Sequence, residues 1–153
     1  MSRILEVAVD GGPYALTAGP DGAMWVTLVH GGAIARVGLD GSLQVHAVAP
    51  EAKPSLITAG PDGALWFTRA GDDRIGRITA DGELSAFELA SGSAPFGIAM
   101  GQDGALYAWQ RGELVDEPGG ACFDDGIPDD RSVTVRATAG QESVVADLLL
   151  LVF

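Results

Sequence analysis

Short apolar stretches alternate with polar turn sequences along the first two thirds of the chain. Residues 64–68 (ALWFT) carry large apolar side chains on both faces of a strand, which predicts burial on both sides. Residues 74–79 (RIGRIT) alternate polar and apolar side chains with period two. Glycines and Asp-Gly pairs interrupt every window that could hold a helical apolar stripe. The pattern therefore predicts short strands joined by tight turns and offers no position for a helix.

Four such strands follow one another in each of two units. Residues 60–63 (GPDG) are typical of the turns, because proline fixes φ and Asp-Gly supplies positions that tolerate unusual backbone angles. Each unit is thus predicted to be a four-stranded antiparallel meander. The predicted strands are residues 14–18, 23–28, 33–37 and 43–48 in the first unit, and residues 55–59, 64–68, 74–79 and 84–89 in the second.

These units repeat with a period of 41 residues, so that Pro13, Pro54 and Pro95 share one column. A fixed period in the forties, with four strands in each unit, is typical of β-propellers, whose small sheets (blades) stack around a ring. The third unit keeps the pattern through Tyr107 and loses it after Ala108. We therefore predict an all-β fold, a partial β-propeller of about two and a half four-stranded antiparallel blades.

The first residues add a further strand to this prediction. Residues 4–9 (ILEVAV) fall under residues 45–50 when the fourth strand of the first unit is shifted back by 41 positions. The chain is thus expected to begin with an orphan fourth strand, of the kind that closes a propeller ring. Rings need about 4 to 8 blades, so we expect this chain to form part of a ring.

The pattern divides the chain into a partial propeller, residues 1–110, and an aberrant acidic tail, residues 111–153, that is expected to be poorly ordered. Between Arg111 and Arg131 there are seven acidic residues and no further basic residue. A shifted reading frame or a fusion is favoured over a divergent cap, because the periodicity ends inside a strand. The acidic run at 124–130 lacks the alternating oxygen ligands of a calcium-binding loop.

Composition excludes several classes of function. A formal net charge of −12 argues against a nucleic-acid partner, since such proteins concentrate Lys and Arg. Cys122 is the single cysteine, so neither an intrachain disulfide nor a thiolate zinc site can form. The closing LLLLVF is far shorter than the roughly 20 residues that span a bilayer. The opening residues lack the apolar core of a signal peptide, and we expect a cytoplasmic protein without membrane contact.

Residues 60–89, GPDGALWFTRAGDDRIGRITADGELSAFEL, resemble the blade motif of the virginiamycin B lyase (streptogramin lyase) family of seven-bladed propellers. The resemblance covers residues 4 to about 107. It implies a carbon–oxygen lyase that opens cyclic depsipeptide antibiotics at the ester by elimination and so gives resistance. It also implies that a histidine removes an acidic proton next to the ester, while magnesium held by carboxylates stabilises the developing charge.

Propeller topology places two columns of the repeat at one mouth of the ring. The post-proline column holds Tyr14, Ser55 and Phe96, and these are the predicted substrate-binding residues. The column after each Trp-x-Thr holds Leu28 and Arg69. The family's histidine and acidic partner are implied to occupy these columns in later blades. We therefore assign no catalytic or metal-ligating residue in this chain.

The functional expectation has three forms. The resemblance implies streptogramin B lyase action, but a truncated fragment is expected to be inactive alone. One alternative is a non-catalytic interaction module that binds a partner or associates with its own copies through open blade edges, and another is a non-functional gene remnant. His30 and His46 are too far apart in the pattern to form a metal pair. Open blade faces also predict low solubility.

Overall fold

The computed structural model describes residues 4–102, 104, 106–110, 132–138 and 141–145. Every regular element within these ranges is a β-strand, and no helix that could cross a lipid bilayer is present in them. The strands are β1 (Pro13–Ala18), β2 (Met24–Leu28), β3 (Ala33–Val37), β4 (Leu43–Ala47), β5 (Pro54–Ala59), β6 (Leu65–Arg69), β7 (Arg74–Ile78), β8 (Leu84–Glu88), β9 (Pro95–Met100), β10 (Leu106–Gln110), β11 (Ser132–Thr138) and β12 (Gln141–Val145).

The strands form three four-stranded antiparallel sheets: blade 1 (β1–β4), blade 2 (β5–β8) and blade 3 (β9–β12). Blades 1 and 2 share one register, since Trp25 pairs with Arg36 across β2 and β3, and Trp66 pairs with Arg77 across β6 and β7. The first strand pair of each of these blades has an irregularity after its opening proline. The structure thus confirms the predicted fold class, a partial propeller of four-stranded antiparallel blades.

Blade 3 has more strands than the sequence pattern predicts. The repeat motif ends in β10, yet β11 pairs with β10 and β12 pairs with β11. Strand β11 reads SVTVRAT and is rich in β-branched residues, which favour pleated strands whether or not they match the repeat. Within the predicted tail, residues 111–131, 139–140 and 146–153 lie outside the described residues, so its poor order stays a prediction there.

Apolar side chains between adjacent blades form the core. Between blades 1 and 2, Trp25 and Ile34 pack in one cluster with Ile57 and Phe67, all at most 7% exposed. A second cluster joins blades 2 and 3, where Trp66 packs with Leu106 and its neighbours. Each blade therefore covers one face of the next.

The leading face of blade 1, the face turned away from blade 2, lacks such a cover. Leu16 on this face is 63% exposed, whereas its repeat equivalents Ile57 and Ile98 are 7% and 6% exposed. A cluster of Val26, Leu28, Ala33 and Ala35 lies on this blade, with Val9 packed against it. Because the same position is buried in both later blades, Leu16 lacks, among the described residues, the cover that the preceding blade gives to Ile57 and Ile98.

The N-terminal segment occupies the position that the repeat predicts without becoming a strand. Residues 4–9 pair with no strand in the described part of the chain. The His30 amide nevertheless donates to the Gly11 carbonyl at 3.0 Å, and 41 residues later the Gly71 amide donates to the Ala52 carbonyl at 3.0 Å. The end of the segment therefore meets blade 1 as the connection between blades 1 and 2 meets blade 2, and among the described residues no further strand pairs with it.

Candidate functional site at the propeller mouth

The predicted rim residues Tyr14, Ser55 and Phe96 lie at the start of the first strands of the three blades, β1, β5 and β9. The Tyr14 and Phe96 rings meet edge to face, with centroids 6.1 Å apart and planes at 72°. Tyr14 is 54% exposed and Phe96 is half-buried. This end of the first strands, which we call the mouth, therefore presents an aromatic pair that spans from blade 1 to blade 3.

Ser55 lies between Tyr14 and Phe96 in the sequence, and its hydroxyl is bonded within the protein. Its residue is 4% exposed, and its hydroxyl donates to the Lys53 carbonyl at 3.1 Å. Direct ligand contact by Tyr14, Ser55 and Phe96 stays a prediction, and the geometry favours the two aromatic residues for it.

A buried threonine in blade 1 and another in blade 2 each fix the rim residue of the next blade. Thr27 Oγ1 accepts a hydrogen bond from the Ala15 amide at 3.0 Å and donates to the Ser55 carbonyl at 2.7 Å. In blade 2, Thr68 Oγ1 accepts from the Leu56 amide at 3.1 Å and donates to the Phe96 carbonyl at 2.7 Å. We call this arrangement the threonine link.

Sequence reasoning identified the Trp-x-Thr column but not this role of the hydroxyl. The available signal was the recurrence of threonine at a position otherwise surrounded by large apolar residues. In the third unit the equivalent residue is Trp109, which has no hydroxyl. The sequence therefore carries the threonine link from blade 1 to blade 2 and from blade 2 to blade 3, and no further.

The residue before each rim proline has a left-handed backbone conformation. The φ angles are +73° at Gly12, +45° at Lys53 and +40° at Ala94. Such angles are costly for residues other than glycine, on the order of 1–2 kcal/mol. The glycine at the first of the three positions, Gly12, was the one sequence feature that pointed to this turn. The turn aims the chain into the mouth at each blade.

The column after each threonine differs from expectation in its accessibility. Leu28 is 2% exposed and packs within the blade 1 cluster. Arg69 is 7% exposed, and its guanidinium forms an ion pair with Asp72. Both side chains are committed to the protein interior, so in blades 1 and 2 this column offers the mouth no free functional group.

The recurrent aspartate of the Asp-Gly turns has a structural role. Asp62 accepts hydrogen bonds from Trp66 Nε1 at 3.0 Å, from the Ala64 amide at 3.2 Å and from Arg77 Nε at 2.8 Å. Burial by itself raises the pKa of Asp62, but these hydrogen bonds and the arginine charge outweigh it, and the net pKa is lowered. In blade 1, Asp21 accepts hydrogen bonds from the repeat equivalents of these partners, and its pKa is lowered for the same reasons. These donors are the Ala23 amide, Trp25 Nε1 and Arg36 Nε.

The two histidines occupy separate places. His30 is exposed and lies against the backbone of Gly12, where an added Cβ would be 2.4 Å from its Cδ2. His46 stacks on Trp25 with ring centroids 5.8 Å apart. Neither histidine belongs to a group of metal-binding side chains in the described ranges, where no three His, Cys, Asp or Glu residues cluster. The acidic run at 124–130 lies outside the described residues.

Two described carboxylates near the mouth, those of Asp72 and Asp73, already have partners within the protein. Asp72 is neutralised by Arg69 and lies 3.5 Å from Arg74. Asp73 uses both carboxylate oxygens to accept backbone amide hydrogen bonds from Gly92 and Ala94. Neither carboxylate belongs to a cluster of three or more metal-binding side chains among the described residues.

Comparison with known proteins agrees with this geometry. A family model described as the virginiamycin B lyase family matches residues 2–115. Virginiamycin B lyase of Mycolicibacterium smegmatis is 72% identical over 51 residues, which are 33% of this chain and 18% of that protein. The chain thus aligns with less than a fifth of this curated relative.

Solved structures extend the likeness over more of the chain. A streptogramin B lyase structure matches with a TM-score of 0.70 and 31% identity over 90% of this chain and 41% of that one. A catalytically inactive virginiamycin B lyase variant from Staphylococcus aureus with quinupristin also gives a TM-score of 0.70 and 31% identity, over 89% of this chain and 41% of that one. The family model matches three quarters of this chain, and the chain therefore belongs to the virginiamycin B lyase family.

Proposed function

We propose that this chain provides substrate-contacting blades of a streptogramin B lyase and does not itself supply the catalytic base or the metal site. The observation that carries the proposal is the Tyr14–Phe96 ring pair at the mouth, at 6.1 Å. Aromatic faces and edges suit the flat, largely apolar surface of a cyclic peptide. The solved Staphylococcus aureus relative with quinupristin supports a small cyclic antibiotic as the ligand class.

The family reaction needs groups that the three predicted rim residues do not supply. In the elimination a base removes a proton from the carbon next to the one that carries the ester oxygen, the bond between that second carbon and the ester oxygen breaks, a carbon–carbon double bond forms between the two carbons, and the ester leaves as a carboxylate. No water is consumed, so the mass of the antibiotic is unchanged. The rim residues are Tyr14, Ser55 and Phe96, and none of them is a base near neutral pKa. Magnesium and the base would come from other blades.

Quinupristin is the probe for both parts of the proposal. We expect the chain to bind quinupristin, followed by calorimetry, and to leave it cyclic with or without magnesium, followed by chromatography with mass spectrometry. Tyr14→Ala should weaken binding about 5- to 10-fold, whereas Leu39→Ala, which removes an apolar residue that is 79% exposed, should not. Linear product from the purified chain, or equal binding by the Tyr14 variant, would refute this assignment.

A second function, self-association, is favoured by the leading face of blade 1. Leu16 is 63% exposed at a position that the repeat buries elsewhere, and Ile4 in the N-terminal segment is 87% exposed. Apolar faces of this kind favour association. On light scattering after size exclusion, we expect concentration-dependent oligomers that Leu16→Lys reduces to monomers. A wild-type monomer at all concentrations would reject this second function.

A further inference from the structure

One aspartate, Asp73, accepts three backbone hydrogen bonds from the connection between blades 2 and 3. Asp73 Oδ2 accepts a hydrogen bond from the Gly92 amide at 2.8 Å, and Oδ1 accepts one from the Ala94 amide at 2.7 Å. The Asp73 carbonyl accepts a third, from the Leu89 amide at 2.9 Å. Three acceptor atoms of a single residue are thus committed to the segment that ends at the rim residue Phe96.

Blade 1 secures the same connection without a side chain. The repeat equivalent of Asp73 (φ +55°) is Gly32 (φ +58°). The Gly32 carbonyl accepts from the Val48 amide at 2.9 Å, and a Cβ at Gly32 would lie 2.0 Å from the Ala49 carbonyl oxygen. The first connection therefore packs directly on the glycine. Because Asp73 carries a Cβ, the second connection cannot approach so closely, and its carboxylate spans the space.

The carboxylate acts on a residue that needs external support. Ala94 precedes Pro95 and has a φ of +40°, a conformation that persists only where the surroundings impose it. The Asp73–Ala94 hydrogen bond contributes to that constraint, and at Lys53, with a φ of +45°, the direct packing of the first connection on Gly32 takes its place. Two residues later, the Phe96 carbonyl is held by Thr68 Oγ1 at 2.7 Å. The Phe96 backbone is therefore fixed on both sides, by Asp73 before it and by Thr68 at its own carbonyl.

We propose that Asp73 is a positioning residue of the mouth. By seating Ala94, Asp73 sets where the Phe96 ring lies against Tyr14, and it thereby shapes the aromatic surface that receives the cyclic antibiotic. The role of the antibiotic in this inference rests on the proposed function. The effect on the ring pair does not, since it concerns the protein alone.

The Asp73→Gly variant tests the inference without adding backbone strain, because glycine tolerates a φ of +55° at no steric cost. The first readout is the nuclear Overhauser effect between the Tyr14 and Phe96 rings in selectively labelled, full-length protein. We expect this ring contact to weaken at least about twofold and the Kd for quinupristin to rise about fivefold. A purely structural role of Asp73 would lower the unfolding midpoint and leave the ring contact of the folded protein unchanged.

Two further variants complete the test. Asp73→Asn keeps one acceptor oxygen and should fall between wild type and glycine. Glu88→Gln removes the exposed ion pair with Arg74, 2.8 Å long, and should change neither readout. An unchanged ring contact in folded Asp73→Gly overturns the inference. If that variant does not fold, Asp73→Asn decides in the same way, with an unchanged contact overturning the inference and a weakened one supporting it.

Failure of the proposed function is separable from failure of this inference. If wild-type protein does not bind quinupristin but Asp73→Gly loses the ring contact, the antibiotic assignment is wrong and the positioning role stands. If wild-type protein binds quinupristin and Asp73→Gly keeps both the ring contact and the affinity, the positioning role is wrong and the assignment stands.

Discussion

Thr27 Oγ1 donates a 2.7 Å hydrogen bond to the carbonyl of Ser55, which lies 28 residues later in the next blade. The same hydroxyl accepts from the Ala15 amide in its own blade. Both threonines of this kind are fully buried, with exposures of 0% at Thr27 and Thr68. The threonine link therefore couples the packing of adjacent blades to the position of the rim residues at the mouth.

Thr27→Val should lower the free energy of unfolding by about 1–3 kcal/mol. Valine fills the same space, but it leaves the Ala15 amide and the Ser55 carbonyl without the hydroxyl that now bonds both. Urea unfolding followed by tryptophan fluorescence measures the change. Thr58→Val is the matched control, since its hydroxyl makes a 3.4 Å bond to the adjacent Ala59 carbonyl, and it should cost under about 0.5 kcal/mol. Equal stability of Thr27→Val and wild type would contradict the threonine link.

Repetition made the architecture predictable. The 41-residue spacing predicted four strands in each unit, and the observed bounds of β1–β8 agree with that prediction to within one or two residues. The aromatic contact between Tyr14 and Phe96 was not predictable, because it joins residues 82 positions apart whose meeting depends on the angle between blades. The left-handed φ angles at Lys53 and Ala94 were also not predictable from the sequence, since neither residue type favours them.

The tail shows the limit of pattern reasoning. Strands β11 and β12 carry no repeat motif, yet β11 pairs with β10 and β12 pairs with β11, in the order that blades 1 and 2 show. Backbone hydrogen bonding between strands requires only an extended chain beside an unpaired strand edge. A motif search therefore found the residues that join blades to one another and missed the strands that lack those residues.

Phe67 and Gly76 are compensating partners across β6 and β7, as Val26 and Ala35 are across β2 and β3. A Cβ at Gly76 would lie 2.2 Å from Phe67 Cζ, which is fully buried. Gly76→Ala should therefore destabilise the protein by about 1–3 kcal/mol through overpacking.

The blade 1 pairing supplies the rescue for this substitution. Phe67→Val alone should cost about 2–4 kcal/mol by leaving a cavity. Adding Gly76→Ala to Phe67→Val recreates the combination of Val26 and Ala35, so the double variant should cost clearly less than the sum of the single changes. Urea unfolding of all four proteins measures the coupling energy. Strict additivity would show that the two side chains do not share this space.

The depressed pKa of Asp62 predicts how stability depends on pH. A folded-state pKa below the ordinary value of 3.8 means that the unfolded chain binds more protons at low pH. This contribution is fully present above about pH 3.8, and it is lost as the pH falls through the folded-state pKa. Denaturant unfolding of wild type and Asp62→Asn at pH 6 and pH 3 measures it. The stability difference between them should be larger at pH 6, and a difference that grows toward pH 3 would reverse the assigned sign.

His46 buries a nitrogen at a cost in stability, and the equivalent residue of blade 2 indicates a stabilising substitution. Its ring stacks on Trp25 at 5.8 Å, while its Nε2 is buried and finds no hydrogen-bond partner within the described ranges. The repeat equivalent is Phe87, which stacks on Trp66 at 5.4 Å and buries no polar atom in doing so. Because an unsatisfied buried nitrogen costs about 1–3 kcal/mol, His46→Phe should stabilise the protein by about 1 kcal/mol or more, and Phe87→His should destabilise it by a similar amount. Thermal unfolding of both variants checks the pair, and a loss of stability in His46→Phe would show that the space beside Gly82 cannot hold the larger ring.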